Sequence, residues 1–319
     1  MGEDTPASRM TYGNYLQLDS LLGLQDGPAD GLALPCNDEL HFIITHQTFE
    51  LWFKQVNREL EEALNLMNLE NVDEVSIPKI VHHLERCTQI FRLLAQQWKV
   101  METLTPQDFL GFRDRLGTSS GFESWQMRTL EMLLGLRPED RIGGMDPIAH
   151  NRKLHSEGKL SDEVMAELER MSSFPSLREV LTDWLARTPV HGISGNTDIM
   201  TEFVQSHIKT MSEHGESVIA HMVKIGHGDE ETIRPRIEAG VESARDFLLP
   251  EGKVNQARAG LLFIESYREL PLLAWPRRLI DTIVELEESM LLFRSHHVRM
   301  VERMIGRRMG SGGTSGVDY

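Results

Sequence analysis

Two histidines stand on apolar helical stripes at opposite ends of this sequence. In DELHFIITHQTFELWFKQVNREL, steps of three and four residues link Phe42, His46, Phe49, Phe53, Val56 and Leu60. A helix there carries one imidazole among aromatic and aliphatic side chains. Near the carboxyl end the same spacing joins Ile283, Leu286, Met290, Phe293, His297, Val301 and Met304. The neighbouring His296 is turned away from that stripe by about 100°, one residue at 3.6 per turn. Burial disfavours the imidazolium, so a histidine on such a stripe keeps a neutral ring whose unshared nitrogen can bind haem iron or accept a proton. A hydrogen-bonded core histidine has the same pattern, and spacing leaves both readings open.

A third feature is cationic. In DFLGFRDRLGTSSGFESWQMR, Arg113 follows Phe109 and Phe112. A guanidinium beside aromatic rings is suited to bidentate capture of a planar anion such as a substrate carboxylate, and equally to a structural ion pair. Residues 310–316, GSGGTSG, read either as a flexible tail or as a loop that orders over a ligand with the Ser311 or Thr314 hydroxyls and main-chain NH groups. The run lacks the lysine of GxxxxGK[ST] and follows no strand, which excludes a nucleotide-phosphate loop. There is no HExxH, and the adjacent His82 and His83 diverge on a helix, so a clustered zinc or non-haem iron site is not supported. A porphyrin needs only one protein ligand, which fits this sparse pattern. The 16 methionines suit an adaptable pocket or plain core filling.

Long helices are needed to hold such residues. Helical periodicity dominates from about residue 38 onward, without the alternation of strands, and predicts an all-α fold. Amphipathic segments fall at about 38–68, 77–101, 119–136, 160–171, 198–225, 229–249, 254–270 and 276–308. Pro276 can open the last of these from its first turn, and Gly310 is expected to end it. The stretch 137–160, with Pro138, Gly143, Gly144, Pro147 and Gly158, reads as a long loop, and a second break surrounds Pro189, Gly192 and Gly195. The expected organisation is one all-helical domain over 1–319 with a helical insertion or subdomain at about 140–275. No repeat of fixed period is visible, so a solenoid is not supported.

At 319 residues the chain can bury a large core. Its two cysteines, Cys36 and Cys87, form no CxxC and point to a reducing, cytoplasmic setting. The start carries no signal sequence, and no apolar run reaches the roughly 18 residues that span a bilayer. A formal charge of -16 excludes nucleic acid and anionic membrane surfaces as natural partners.

Taken in order, four blocks resemble the haem-dependent tryptophan 2,3-dioxygenase family. They are TYGNYLQLDSLLGLQ from Thr11, NDELHFIITHQTFELWFKQ from Asn37, FRDRLGTSSGFESWQMR from Phe112 and FRSHHVRMVERMIGRRMGSGGTSGV from Phe293. The resemblance implies a helical bundle enclosing heme b, ferrous in the active form, which opens the indole ring of L-tryptophan with O2 to give N-formylkynurenine. By the same resemblance His297 matches the proximal iron ligand and His46 the distal base near the indole NH. Phe42, Phe109 and Trp98 match pocket or haem-contacting positions, and Ser119 and Gly121 match cofactor-binding ones. Arg113 matches the clamp on the amino-acid carboxylate, and Ser311 stands where the family usually has a threonine that meets the substrate ammonium. Tyr12, Tyr15 and Leu16 match a segment that reaches into a neighbouring subunit's pocket, which implies a homotetramer.

The chain departs from the pattern at Asn37, where the family usually has histidine, and at Tyr319, past which family members usually continue with another helical stretch. Two rivals share the scaffold: a monooxygenase acting on a tryptophan derivative, and a non-catalytic haem or tryptophan sensor. Product mass under labelled O2 separates ring opening, with two labelled atoms, from monooxygenation, with one.

Overall fold

The computed structural model describes residues 10–26, 35–117, 119–137, 139, 146–193 and 195–306. Ser311 and the rest of the glycine-rich run lie outside these residues. The described chain begins with α1 (Tyr12–Leu16), α2 (Leu18–Leu21), α3 (Asn37–Met67), α4 (Ile77–Met101) and α5 (Pro106–Phe112). It continues through α6 (Trp125–Leu134), α7 (Pro147–Ser156), α8 (Asp162–Ser172), α9 (Leu177–Ala186) and α10 (Thr197–Lys224). It closes with α11 (Glu230–Leu248), α12 (Gln256–Ser266) and α13 (Ala274–Ile305). Among the described residues the only β-type pairing is an isolated bridge between Val190 and Ile193. No described helix is long and apolar enough to cross a membrane.

The long helices follow from their stripes. Helix α3 buries Phe49, Phe53, Val56 and Leu60, and α13 buries Leu286, Met290, Phe293 and Met300. Helix α4 packs against both, inserting Leu84, Phe91, Leu94 and Trp98 between them. Each such side chain contributes about 1.5–3 kcal/mol on leaving water, so this three-helix contact is the largest single stabilising feature of the fold. A second cluster gathers Val190, Met200, Val204, Ile208, Leu248, Leu249, Ala259 and Phe263 from α10, α11, α12 and the segment before them. Met171, Leu177 and Val180 of α8 and α9 belong to the first cluster, so the break between the two falls near 188–196. Helices α9 and α12 meet at Gly260, where a Cβ would lie 2.1 Å from the Leu185 carbonyl oxygen. Only glycine permits that approach.

Three elements correct the sequence reading. The stretch 137–160 contains α7, opened by the Asp146 side chain accepting from the Ile148 NH and by Pro147 in the first turn. That start signal is masked in sequence by the surrounding glycines and prolines. Helix α13 ends at Ile305 with Gly306 at φ 64°, four residues before the expected stop at Gly310. The segment 119–136 divides into a 3-10 turn, Gly121–Glu123, and α6, whose start is capped by Ser124.

Candidate active site

The two stripe histidines are joined by a run of aromatic rings. The His46 ring lies 4.0 Å from that of Phe42, one helical turn earlier, tilted by 31°, and stands edge-on to Phe49 at 6.2 Å. Phe49 lies 4.4 Å from Trp98 of α4, and Trp98 lies 4.9 Å from His297 of α13. Phe293, one turn before His297, closes the group at 5.5 Å from Trp98 and 5.8 Å from Phe49. The stripe residues on α3 and α13 thus converge on one aromatic centre.

Both imidazoles are held neutral. Burial is the main force lowering the His46 pKa, with His41 adding to it and the Phe42 carbonyl opposing it. The Nδ1–H of His46 donates to that carbonyl at 2.8 Å, since a carbonyl oxygen can only accept. For His297, burial first and then the neighbouring His46 and Arg294 bring the pKa from 6.5 to about 4. Each ring is half-buried, with some accessible area left among the surrounding protein atoms. Trp98 is buried, and its Nε1–H has no hydrogen-bond partner among the described residues. An orphaned donor of this kind costs about 1–3 kcal/mol unless a bound group accepts from it. His296, expected to point away from the core, turns toward α4 and donates from Nδ1 to the Ala95 carbonyl at 2.9 Å.

The arginine segment is fastened next to His46. Thr105 and Asp108 form a reciprocal cap at the start of α5, with Pro106 in its first turn. At the other end Phe112 is buried, and the Phe42 ring lies 6.0 Å from Phe109 and 5.6 Å from Phe112. Arg113, half-buried, begins the 3-10 turn Arg113–Leu116, from which Arg115 pairs with Glu39 of α3 at 2.8 Å. Beyond that turn the exposed Ser119 donates from its hydroxyl to the Leu116 carbonyl at 2.6 Å, and the exposed Gly121 opens the next 3-10 turn.

Tyr12, Tyr15 and Leu16 stand on the surface of the chain, the two tyrosines 76% and 74% exposed. The arm that carries them is tied beside His46 by Gln25, which donates to the Gln47 side chain at 2.7 Å, and by Gln47, which donates to the Leu24 carbonyl at 2.9 Å. The structure therefore brings His46, Phe42, Phe109, Trp98 and His297 into one aromatic group with Arg113 at its margin. It leaves Tyr12, Tyr15 and Leu16 outside that group within the single chain.

Sequence reasoning missed a buried ionic cluster. Glu131 of α6, 0% exposed, pairs with Arg294 of α13 at 3.0 Å and with Arg128 at 3.2 Å. The available signal was an arginine and a glutamate three residues apart in the otherwise apolar MRTLEMLLG.

Over residues 2–319 the chain matches the family described as Tryptophan 2,3-dioxygenase. It is 40% identical to the tryptophan 2,3-dioxygenase of Sorangium cellulosum across 97% of this chain and 78% of that protein. It is 39% identical to tryptophan 2,3-dioxygenase 2 of Ralstonia nicotianae across 97% of this chain and 87% of that one. The tryptophan 2,3-dioxygenase of Aedes aegypti is 34% identical across 97% of this chain and 79% of its own length.

Proposed function

This chain belongs to the tryptophan 2,3-dioxygenase family, and from that membership we infer that it opens the indole ring of L-tryptophan with O2 to give N-formylkynurenine. The observation that carries the reading is the pair of neutral imidazoles, His46 and His297, at the two ends of the ring group built on Phe49 and Trp98.

The residues present fit a b-type haem. A neutral imidazole among apolar side chains is the ligand such an iron requires, and His297 is held in that form by burial. Trp98 supplies a flat wall against His297 and a buried N–H that lacks an acceptor among the described residues. When bound, the haem supplies the activation of O2 and the electron chemistry of ring opening.

The protein's part is to bind, orient and exclude water. His297 holds the iron. With the Nδ1 proton of His46 on the Phe42 carbonyl, Nε2 is left as an acceptor for the indole N–H, so His46 orients the ring and is not an obligatory base. Phe42 and Phe109 provide the apolar walls of the indole pocket. Arg113 receives the carboxylate through paired N–H donors, and Ser311 meets the ammonium. Ser119 and Gly121 would help to hold the cofactor.

Tyr12, Tyr15 and Leu16 complete the pocket of a neighbouring copy, which makes the working form a homotetramer. Their exposure in one protomer supports that role. The cytoplasm is the compartment this reading assigns, and the second apolar cluster is the helical subdomain.

The test is mass analysis of the product formed by reduced, haem-loaded protein from L-tryptophan and labelled O2. Two labelled atoms in N-formylkynurenine are expected. A product with one labelled atom would assign monooxygenation, and no turnover would assign a sensor.

A further inference from the structure

The two arginines of FRDRLG do different work. Arg113 and Arg115 share one 3-10 turn, and at three residues per turn side chains two positions apart leave on different sides. Arg115 turns onto the first turn of α3, where its Nη1 lies 2.8 Å from Glu39 Oε2. Glu39 is 2% exposed, so this ion pair is formed largely out of water and is screened far less than a surface pair.

The pair has a defined place in the site. Glu39 precedes Phe42 by one helical turn and His46 by two on the same helix. Phe42 in turn contacts Phe109 and Phe112. The segment carrying Arg113 is thus fastened to α3 on both sides, by ring contacts at Phe112 and by charge at Arg115. Both ends of the substrate grip, Arg113 for the carboxylate and His46 for the indole nitrogen, hang from the first three turns of α3.

We propose that the Glu39–Arg115 ion pair is a positioning device that sets the span between Arg113 and His46, and thereby the carboxylate-dependent selectivity of the pocket. This inference rests on the reading of Arg113 as the carboxylate clamp. In this role Glu39 and Arg115 act through Arg113 and not by direct contact with substrate. Without the pair the 3-10 turn keeps the packing of Phe112 and Leu116 on the core but loses its charged tie to α3, and the guanidinium of Arg113 is set less firmly relative to the imidazole of His46.

The experiment compares L-tryptophan with L-tryptophanol, which keeps the indole and the amine but replaces the carboxylate with an alcohol. Binding of each is read from the absorption change of the haem-loaded protein. The double variant Glu39→Gln with Arg115→Met removes both charges together, so neither is stranded. It is expected to bind L-tryptophan about tenfold more weakly, with KM rising more than kcat falls, and to bind L-tryptophanol as before. Arg115→Lys, which keeps the charge but not the planar fork, should show a smaller loss in the same ligand-specific sense, and it carries the test if the double variant does not fold. Arg113→Gln is the control. If Arg113→Gln does not narrow the preference for L-tryptophan over L-tryptophanol, the clamp reading fails, and the inference with it. If Arg113→Gln narrows the preference and the pair variants leave it unchanged, or weaken both ligands equally, the positioning role is overturned while the clamp stands.

Discussion

The indole of Trp98 and the imidazole of His297 lie 4.9 Å apart with their planes at 33°, so an apolar layer between α4 and α13 contains the ring assigned to the iron. His297 is embedded in the core contact that dominates the fold, and its neighbours restrict how the ring can turn. Packing and ligand orientation are the same feature here, which separates what substitutions at the two histidines will do.

His297→Ala should abolish the five-coordinate ferrous spectrum and turnover while leaving the helices in place, because alanine is the best helix former and α13 keeps its other apolar contacts. Absorption of the reduced protein and far-ultraviolet circular dichroism check the two halves of this expectation. Normal haem and normal turnover in the variant would remove His297 as the ligand.

His46→Ala should retain haem and lose kcat/KM for L-tryptophan by about 10- to 100-fold, the worth of one hydrogen bond to a buried polar group. Steady-state kinetics beside a haem titration measure both. Loss of haem with the activity would mean that His46 supports the cofactor and not the substrate.

Glu59 predicts a pH dependence remote from the site. Burial would raise its pKa, but hydrogen bonds from His83 at 2.6 Å, Arg86 at 2.6 Å and Gln55 at 2.5 Å outweigh burial and hold it below the ordinary 4.5. A depressed carboxyl adds stability that is complete above its unfolded value of 4.5 and is lost as pH falls through the lower folded value. Glu59→Gln should therefore cost about 1–3 kcal/mol at pH 7 and progressively less in more acidic solution. Urea titrations of both proteins at neutral and acidic pH measure this; a difference that does not shrink on acidification would contradict it.

Gly260→Ala should destabilise the protein by about 1–3 kcal/mol, since a methyl group there meets the Leu185 carbonyl at 2.1 Å and α12 must withdraw from α9. A lowered melting temperature is the expected sign. An unchanged one would show that the two helices separate without penalty.

The periodicity of α3, α4 and α13 makes the long helices legible because each carries one continuous buried face over many turns. Helix α4 falls at Ile77–Met101, the limits read from its stripe. Helix α7 is hidden because its ten residues sit among glycines and prolines that signal a loop more strongly than Asp146 and Pro147 signal a start. In the site, His46 and His297 stand out from their stripes, but their ring contacts to Trp98 depend on how helices pack. Glu131 and Arg294 are 163 residues apart, and Glu39 and Arg115 come from different elements. No local pattern announces such pairings, since each is created only when the helices assemble.

The bond from the His46 ring to the Phe42 carbonyl has a genetic consequence. The proton polarity of that imidazole is dictated by the main chain, which every amino acid but proline supplies in helical form. Side chains around the pocket are thus free to drift, enlarging or narrowing it for altered indoles, while the nitrogen presented to the ring stays an acceptor. Divergence in this scaffold can reshape what enters without first having to reinvent how the guest is addressed.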